Sequence, residues 1–477
     1  MSERHVDVAI LGAGTAGLGA RRAAKAEGAS VVMIDPGPFG TTCARVGCMP
    51  SKLLIAAADA AYHASHTDLF GIRTTGVQVD GRAVMARLHR ERDRFVGFVN
   101  QVIAEARSEG ELIEGRGIVI APGTLQAGEQ TVHYKRLVVA TGGSPFVPPP
   151  FRDLGDLVLT NEEIFELEDL PESVLVVGLG VIGLELGQAF SRLGVRTTLL
   201  GVGGGIGPIS DPEILASARE VLGAELDLHP DYTLQSVERT EAGASVAFVD
   251  SQGRERHETF ARVFMAAGRR PNLMNLGLEH HGFELVPRQP VPVDADTLQL
   301  AGSEVFLAGD VNNLHPLLHE AADDGRVAGQ NAARYPDLRA ATRRTPLAVV
   351  FSDPQIGIVG QSYRDLGECA AVAGEVDYGD QGRARVQGIN KGRVRIYADR
   401  HTGVLLGAEL FGPRVEHLSH LLAWAIQQRL TVDDALTMPF YHPVVEEGIR
   451  TALRNLNANL RRAAPIKCRV SELGVGS

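Results

Sequence analysis

The stretch VDVAILGAGTAGLGARRAAKAEGASVVMID, residues 6–35, decides the fold. It opens on VDVAIL, Val6 to Leu11, apolar at every position but Asp7, which reads as a buried strand. Gly12, Gly14 and Gly17 of GAGTAG follow at once, then an Ala-rich helical stretch from Leu18 to about Glu27. A second strand, Ser30 to Ile34, ends in Asp35. Strand, G-x-G-x-x-G turn, helix and strand form a βαβ unit. Its glycines let the backbone approach a pyrophosphate, and its helix N-terminus faces that charge. Asp35 lies 18 residues after Gly17, where a carboxylate at the strand end can accept hydrogen bonds from a ribose hydroxyl pair.

The same grammar returns at SVLVVGLGVIGLELG, residues 173–187, with Gly178, Gly180 and Gly183 in the turn, a helix to about Arg192 and a strand from Arg196 to Leu200. Here the partner carboxylate is missing. RTTLL runs into GVGGGIG, residues 201–207, so Gly201 stands where Asp35 stands in the first unit, and the stretch itself holds neither an acid nor an Arg. The choice between NAD and NADP stays open on this residue.

A helical stretch (81–109), a turn-rich β segment and the Pro-rich SPFVPPPF (144–151) separate the two units, and the last of these reads as a domain crossing. Residues 232–264 alternate in strand fashion and close at AAGRRPN (266–272). VFLAGDV (305–311) reads as one more strand running into a Gly-Asp turn, followed by a helix through HEAADDGRVAGQNAA. From about Thr345 the texture changes to short strands (LAVVF, RVRIYA, LLGAELF) and amphipathic helices, a further domain.

At roughly 150 residues per domain, 477 residues make about three domains. A net charge of −11 has the wrong sign for a protein that lives on phosphate backbones, which argues against a nucleic-acid partner. No apolar stretch approaches the ~20 residues that span a bilayer, and no charged-then-apolar leader precedes the first strand. The expectation is a cytoplasmic protein with no membrane partner. Two numbers stand out: 54 glycines, against ~7 per cent in an average chain, and four cysteines of which two lie close together.

Those two are Cys43 and Cys48 in GTTCARVGCMPSK (40–52). Five residues apart, they can close a small ring, and a helix beginning near the second favours its thiolate. Two other readings exist: buried inert thiols, and a zinc site that recruits His63 and His66. The latter asks an Ala-rich helix to fold back on itself, and no metal-ligand set is assigned. In YHPVVEEGIR (441–450), Pro443 suits the first turn of a helix, and a carboxylate one turn later can reach back to His442 and fix its tautomer. Glu447 is the candidate; spacing alone does not exclude Glu446. By itself, a His before a helix is more often a cap or a surface residue. Lys52 closes the Cys segment and Glu185 lies on the helix of the second glycine loop; each alone reads as a solvated helix residue.

Taken in order, GAGTAG, CARVGCMPSK, ATGGSPFVP (140–148), GLGVIGLELG, AAGRRPN, VFLAGDV, FSDPQIGIVG (351–360) and HPVVEE resemble the pyridine nucleotide–disulfide oxidoreductases with an N-terminal redox disulfide, and among them the branch that oxidises dihydrolipoamide. The resemblance spans essentially the whole chain. It implies an α/β fold of two Rossmann-like dinucleotide-binding domains, for FAD and NAD, plus a C-terminal α+β dimerisation domain. The segments would be an FAD-binding domain (1–149), an NAD(P)-binding domain (150–270), a continuation of the FAD or central domain (271–344) and the interface domain (345–477).

It further implies FAD with Gly12, Gly14 and Gly17 at its pyrophosphate, Asp35 at the adenosine ribose and Asp310 near the ribityl chain and second phosphate, with Thr141, Gly142 and Gly268 in the cofactor-binding set. NAD(H) would sit at Gly178, Gly180 and Gly183, with NADP not excluded. Cys43 and Cys48 would be the redox disulfide, Cys48 against the flavin and Cys43 exchanging with substrate. Lys52 would lie by the flavin ring and pair with Glu185. His442, oriented by Glu447, would be the base for a dithiol substrate and would come from the partner subunit of an obligate homodimer. The protein partner would be a lipoyl carrier or lipoyl domain of a multienzyme complex. A reductase of another disulfide or of quinones is the alternative enzyme. A non-catalytic flavin-binding component is a remote third, opposed by retention of both Cys, the His and the carboxylate.

Four features depart from the family pattern. Arg45 replaces the usual Asn, Gly40-Thr41-Thr42 replaces Gly-Gly-Thr, and Gly201 replaces the acid expected for NAD. The 35 residues after His442 carry a single cysteine, Cys468, so a second C-terminal redox pair is absent. Cys369 and Cys468 have no assigned role.

Overall fold

The computed structural model describes residues 2–286, 289, 291–366 and 371–462. Cys369, Cys468 and the tail beyond residue 462 lie outside the described residues. The chain forms two compact units. The first comprises Met1–Ala60, Gln78–Pro171 and Arg262–Arg343; the second comprises Ala61–Val77, Glu172–Ala261 and Arg344–Ser477.

In the first unit, Ser2–Leu11 runs parallel between Val31–Asp35 and Gln130–Val139, with Leu112–Glu114 outside Val31–Asp35. Gln130–Val139 is long enough for two neighbours on its far side. Its first half pairs antiparallel with Thr124–Ala127, and its last residues pair parallel with Val305–Leu307. The strands are buried on both faces. Ala9, Leu11, Val32, Ile34, Leu137 and Val139 join one apolar cluster, while Val8, Ile10, Val31, Met33 and Val138 join the other. That is why the buried ends of these strands, Val8–Leu11, Val31–Ile34 and Leu137–Val139, read as apolar runs rather than alternations.

The helix Thr15–Ala26 packs on Leu318–Arg334, and small residues set the distance. A Cβ on Gly325 would strike the Ala16 carbonyl, and one on Gly329 the Ala20 carbonyl. This contact ties the segment after residue 262 back to the first βαβ unit. The first strand starts at Ser2 and the helix at Thr15, earlier than the apolar pattern indicated, because main-chain pairing extends past the buried residues. VFLAGDV is strand only over Val305–Leu307; Gly309 at φ +77° turns the chain into the short 3-10 helix Asp310–Asn312.

In the second unit, Ser173–Val177, Arg196–Leu200 and Asp227–His229 are parallel neighbours, joined by the helix Val181–Arg192 as the second βαβ pattern predicts. Thr233–Thr240, Gly243–Val249 and Glu255–Phe260 form an antiparallel meander. A five-stranded antiparallel sheet follows in the order Leu347–Val350, Gln355–Gly360, Leu405–Gly412, Arg393–Asp399, Ala371–Asp377, with Val415–Gln427 and Glu447–Arg462 contributing to its core. Among the described residues no helix is long and apolar enough to cross a membrane.

Candidate functional site

The first glycine loop is shaped by steric need. Gly12 sits at φ +106°, and a Cβ there would strike the Ala140 carbonyl; a Cβ on Gly17 would strike the Gly12 carbonyl. At Gly14 a Cβ would meet nothing within 4 Å, and Gly14 caps Thr15–Ala26 without any side-chain hydrogen bond. The open side of the loop therefore exposes uncapped helix amides, a donor set that fits a pyrophosphate. Asp35 closes the loop from the next strand: the amides of Ala13 and Gly37 each donate to its carboxylate at 2.7 Å. A carboxylate offers about four acceptor positions, so two remain for a ribose hydroxyl pair.

Two family motifs far apart in sequence meet beside this loop. Gly143–Pro145 pairs antiparallel with Arg269–Pro271. Thr141 Oγ1 donates to the Asn272 carbonyl at 2.7 Å, Asn272 Nδ2 donates to the Thr141 carbonyl at 3.0 Å, and the Asn272 amide donates to Gly142 at 2.9 Å. Gly142 (φ +68°) and Gly268 (φ +99°) supply the turns. Asp310 is half-buried; burial pushes its carboxyl up, while the Arg269 guanidinium opposes the shift. These positions fit the cofactor-binding set expected from sequence. Asn272, Asn161 and Arg269 were not singled out there. Arg269 Nη1 donates to Asn161 Oδ1 at 2.9 Å, and Asn161 Nδ2 donates to the Val46 carbonyl at 2.8 Å, which anchors the cysteine segment.

Cys43 lies in the short helix Thr42–Val46, and Cys48 opens the helix Cys48–Ser65, as its position after Gly47 predicts. The two thiols lie within hydrogen-bonding reach of each other. The Cys43 thiol is pushed well above the ordinary thiol range, first by its hydrogen bond to Cys48 and then by burial, with the Lys52 charge opposing. A helix N-terminus favours negative charge at Cys48. Ser51 Oγ donates to the Cys48 carbonyl at 3.1 Å, and Lys52 Nζ donates to Ser51 Oγ at 3.3 Å. Among the described residues the His, Cys, Asp and Glu group close enough to hold a metal is Glu3, His5 and His133. It includes neither cysteine, and His66 instead stacks on Tyr62 at 4.0 Å, which removes support from the zinc reading.

The departures leave marks. Thr41 has φ 60° and ψ 153°, a region that suits glycine and strains a β-branched residue by roughly 1–3 kcal/mol. Its Oγ1 accepts from the Ala44 amide at 3.3 Å and so caps the turn that carries Cys43. Arg45 Nε is buried with no hydrogen-bond partner.

In the second unit, Gly178 sits at φ +114° and Gly180 caps Val181–Arg192 without a side-chain bond, repeating the first loop. Gly183 is buried in that helix. Glu185 on the same helix is 3% exposed, not solvated, and its Oε1 accepts the Phe351 amide at 2.9 Å. A Cβ on Gly201 would lie 2.7 Å from the Leu179 side chain and 3.2 Å from the Pro230 carbonyl, so a side chain there must displace Leu179. Two charged residues from outside the glycine stretch reach it instead. The Gly203 amide donates to Asp231 Oδ1 at 3.2 Å, and Arg219 Nε donates to the Gly204 carbonyl at 3.1 Å.

His442 is 80% exposed, and its Nδ1 lies 3.0 Å from Glu447 Oε2 and 3.2 Å from Oε1, which leaves Nε2 toward solvent. The structure selects Glu447 over Glu446. The His442 hydrogen bond holds the Glu447 carboxyl below its ordinary value. Pro443 corrects the sequence reading: the helix begins at Glu447, and residues 442–446 are a turn. Side chains hold this turn, Gln381 Nε2 donating to the Val444 carbonyl at 2.8 Å and Tyr378 OH to the Val445 carbonyl at 3.3 Å, which also accepts the Gly448 amide at 3.0 Å. Glu447 then closes the turn by accepting the Val444 amide at 3.3 Å.

Comparison with known proteins finds relatives over nearly the whole chain. A dihydrolipoyl dehydrogenase of Halobacterium salinarum is 31% identical over 460 residues, covering 94% of this chain and 95% of its own. A mercuric reductase of Staphylococcus aureus is 28% identical over 454 residues, covering 94% and 81%. Among solved structures, LpdA from Mycobacterium tuberculosis matches with a TM-score of 0.79 at 27% identity, over 97% of this chain and 100% of its own. A HOCl-induced flavoprotein disulfide reductase, RclA from Escherichia coli, has a TM-score of 0.77 at 21% identity over 94% and 99%, which speaks to the fold alone. The family pattern named pyridine nucleotide-disulphide oxidoreductase matches residues 6–325, and its dimerisation domain, which supports a homodimer, matches residues 347–453. The chain belongs to the pyridine nucleotide–disulphide oxidoreductases, a family dependent on FAD and NAD(P).

Proposed function

We propose that this oxidoreductase is a dihydrolipoamide dehydrogenase that oxidises protein-bound dihydrolipoyl groups, in the cytoplasm, with a lipoyl carrier or lipoyl domain as its protein partner. The observation that carries the reading is the His442–Glu447 dyad at 3.0 Å in a chain that also presents the Cys43–Cys48 pair at a helix N-terminus. A thiolate, not a thiol, attacks a disulfide, so a dithiol substrate needs a base, and a carboxylate-oriented imidazole is suited to neutral pH.

With the cysteines oxidised, His442 Nε2 takes the proton of one substrate thiol, and the resulting thiolate attacks Cys43 Sγ. The Cys43–Cys48 bond breaks, and Cys48 leaves as a thiolate held by the helix N-terminus. The second substrate thiol attacks the substrate sulfur of the mixed disulfide, and its proton passes to Cys43, which leaves as the thiol while His442 keeps the first proton. Two electrons have then passed from the substrate dithiol, which becomes a disulfide, to the cysteine pair. Gly12, Gly14, Gly17, Asp35, Thr141, Gly142, Gly268 and Asp310 would hold FAD, and Gly178, Gly180 and Gly183 the nicotinamide nucleotide. Bound together, these groups supply the acceptor that returns the dithiol to the disulfide. Lys52 and Glu185 would form the pairing that the family resemblance implies, and the dyad of one protomer would serve the disulfide of the other.

The test is steady-state turnover of dihydrolipoamide with NAD+ and with NADP+. Glu447→Gln is expected to lower kcat by about 10², and Cys48→Ser to abolish turnover. Full activity in Cys48→Ser overturns the mechanism. Turnover of quinones or another disulfide without dihydrolipoamide overturns the substrate. The departures at Thr41 and Arg45, beside the exchanging cysteine, favour that second outcome over a non-catalytic role.

A further inference from the structure

Two strands of the first unit carry a group of side chains that the disulfide chemistry does not use. Ser2–Leu11 and Gln130–Val139 pair in parallel from Ser2↔Gln130 through Leu11↔Val139, and this register puts His5 opposite His133. Their rings stack with centroids 4.7 Å apart and planes 18° apart. Glu3 lies two residues before His5, hence on the same face of its strand. One ligand atom from each of Glu3, His5 and His133 lies within 4.8 Å of the others.

The next strand adds an orienting group. Thr124 is the register partner of His133 on its other side, and Thr124 Oγ1 lies 3.2 Å from His133 Nδ1. With Nδ1–H donating to that hydroxyl, His133 Nε2 carries the lone pair. Fixing the second ring nitrogen in this way is how proteins set the tautomer of a metal-ligating imidazole.

The geometry points to a surface site for a borderline divalent cation, of the Zn(II), Cu(II), Ni(II) or Co(II) class, held by Glu3, His5 and His133 with Thr124 as the positioning residue. Two imidazoles and one carboxylate are the donors that such ions prefer over the oxygen-only sets of Mg(II) or Ca(II). Bonds of roughly 2.0–2.1 Å set neighbouring ligand atoms roughly 3.4 Å apart, so the site closes by side-chain rotation, with the ladder already holding the Cα positions. Glu3 and His5 are exposed and His133 is half-buried, which leaves further coordination positions to water or a small ligand. Bound metal would clip the start of the chain to the strand that bridges both halves of the sheet.

The test uses tag-free, metal-stripped holoenzyme with its redox disulfide oxidised and its other thiols capped, so that sulfur does not compete. Titration with Zn(II), and with Cu(II) followed by electron paramagnetic resonance, is expected to show one equivalent bound at micromolar metal with nitrogen hyperfine structure. His5→Asn and His133→Asn should each abolish that equivalent, and Thr124→Val should weaken it by roughly 10–100-fold. Disulfide turnover in all three variants should match the parent. Binding unchanged in both His variants, or binding seen only at millimolar metal, overturns the proposal. So does a Cu(II) signal without nitrogen coupling.

Discussion

The two glycine loops share a strand, a turn and an uncapped helix, yet differ in what closes them. In the first, Asp35 reaches back from the second strand and accepts two backbone amides, Ala13 and Gly37, each at 2.7 Å. In the second, Gly201 has no side chain, and one there must displace Leu179, with the Pro230 carbonyl also close. Its amide donates to the His229 carbonyl at 2.8 Å, so the loop leans on the neighbouring strand end. The first loop is locked by a charge within its own βαβ unit, whereas the second borrows Asp231 and Arg219 from later elements. The same nucleotide turn can thus be made rigid and selective by one residue, or left to be specified by its surroundings.

The largest effect is expected from Gly17→Ala. Its Cβ would strike the Gly12 carbonyl, and overpacking of this kind costs about 1–3 kcal/mol or more. The protein should purify with little flavin and a lowered Tm. Gly14→Ala, which meets nothing, should keep its Tm while binding flavin less tightly. Equal Tm values for the two would refute the steric account.

Asp35→Ala should follow. It strands two amides that now donate to its carboxylate, at a cost of about 1–3 kcal/mol in all. Flavin content after dialysis measures the loss. Unaltered retention would mean the lock is unimportant.

Gly201→Glu alone should not restore a preference for NAD, because the new side chain must displace Leu179. Combined with Leu179→Ala, it should raise the NAD+ to NADP+ ratio of kcat/KM by about tenfold, the equivalent of ~1.4 kcal/mol. A single variant that already does so would show that the loop yields easily.

The smallest effect concerns acid. A hydrogen bond from His229, then bonds from Thr198 and Arg256, hold the Asp227 carboxyl well below its ordinary value of 3.8, against desolvation. Its contribution is therefore fully present above about pH 3.8 and is lost as the pH falls through the lower folded value. Asp227 is part-exposed, at 39%, so screening keeps the effect small. Nucleotide binding at the second loop should hold down to about pH 4 and weaken below it, and Asp227→Asn should remove that step. Identical acid profiles would exclude it.

Both glycine loops, the cysteine pair and its helix were legible because each is local: strand, turn and helix follow one another within a few tens of residues, and apolar pattern and glycine spacing report them directly. Glu447 was legible as one of two candidates, and the folded turn chose it by closing on Val444. Pro443 was misread because a proline that can begin a helix can equally sit in a turn, here one that Gln381 and Tyr378 hold through the Val444 and Val445 carbonyls. Arg269 and Asn272 were visible only as part of the AAGRRPN motif and Asn161 gave no signal, since single polar residues acquire meaning only from the distant groups they hold.

What the sequence by itself determined was the βαβ chemistry, the disulfide spacing and the family, all carried by short-range patterns of backbone freedom and side-chain type. Only the tertiary structure decided that Thr41 bears a conformation suited to glycine, that Gly201 is walled in by Leu179, that Asp231 and Arg219 reach the second loop, and that His5 stands opposite His133. Each of these depends on register or on contact between residues far apart in the chain. Such contacts are set by how buried faces and main-chain hydrogen bonds are satisfied together, and no local pattern encodes that.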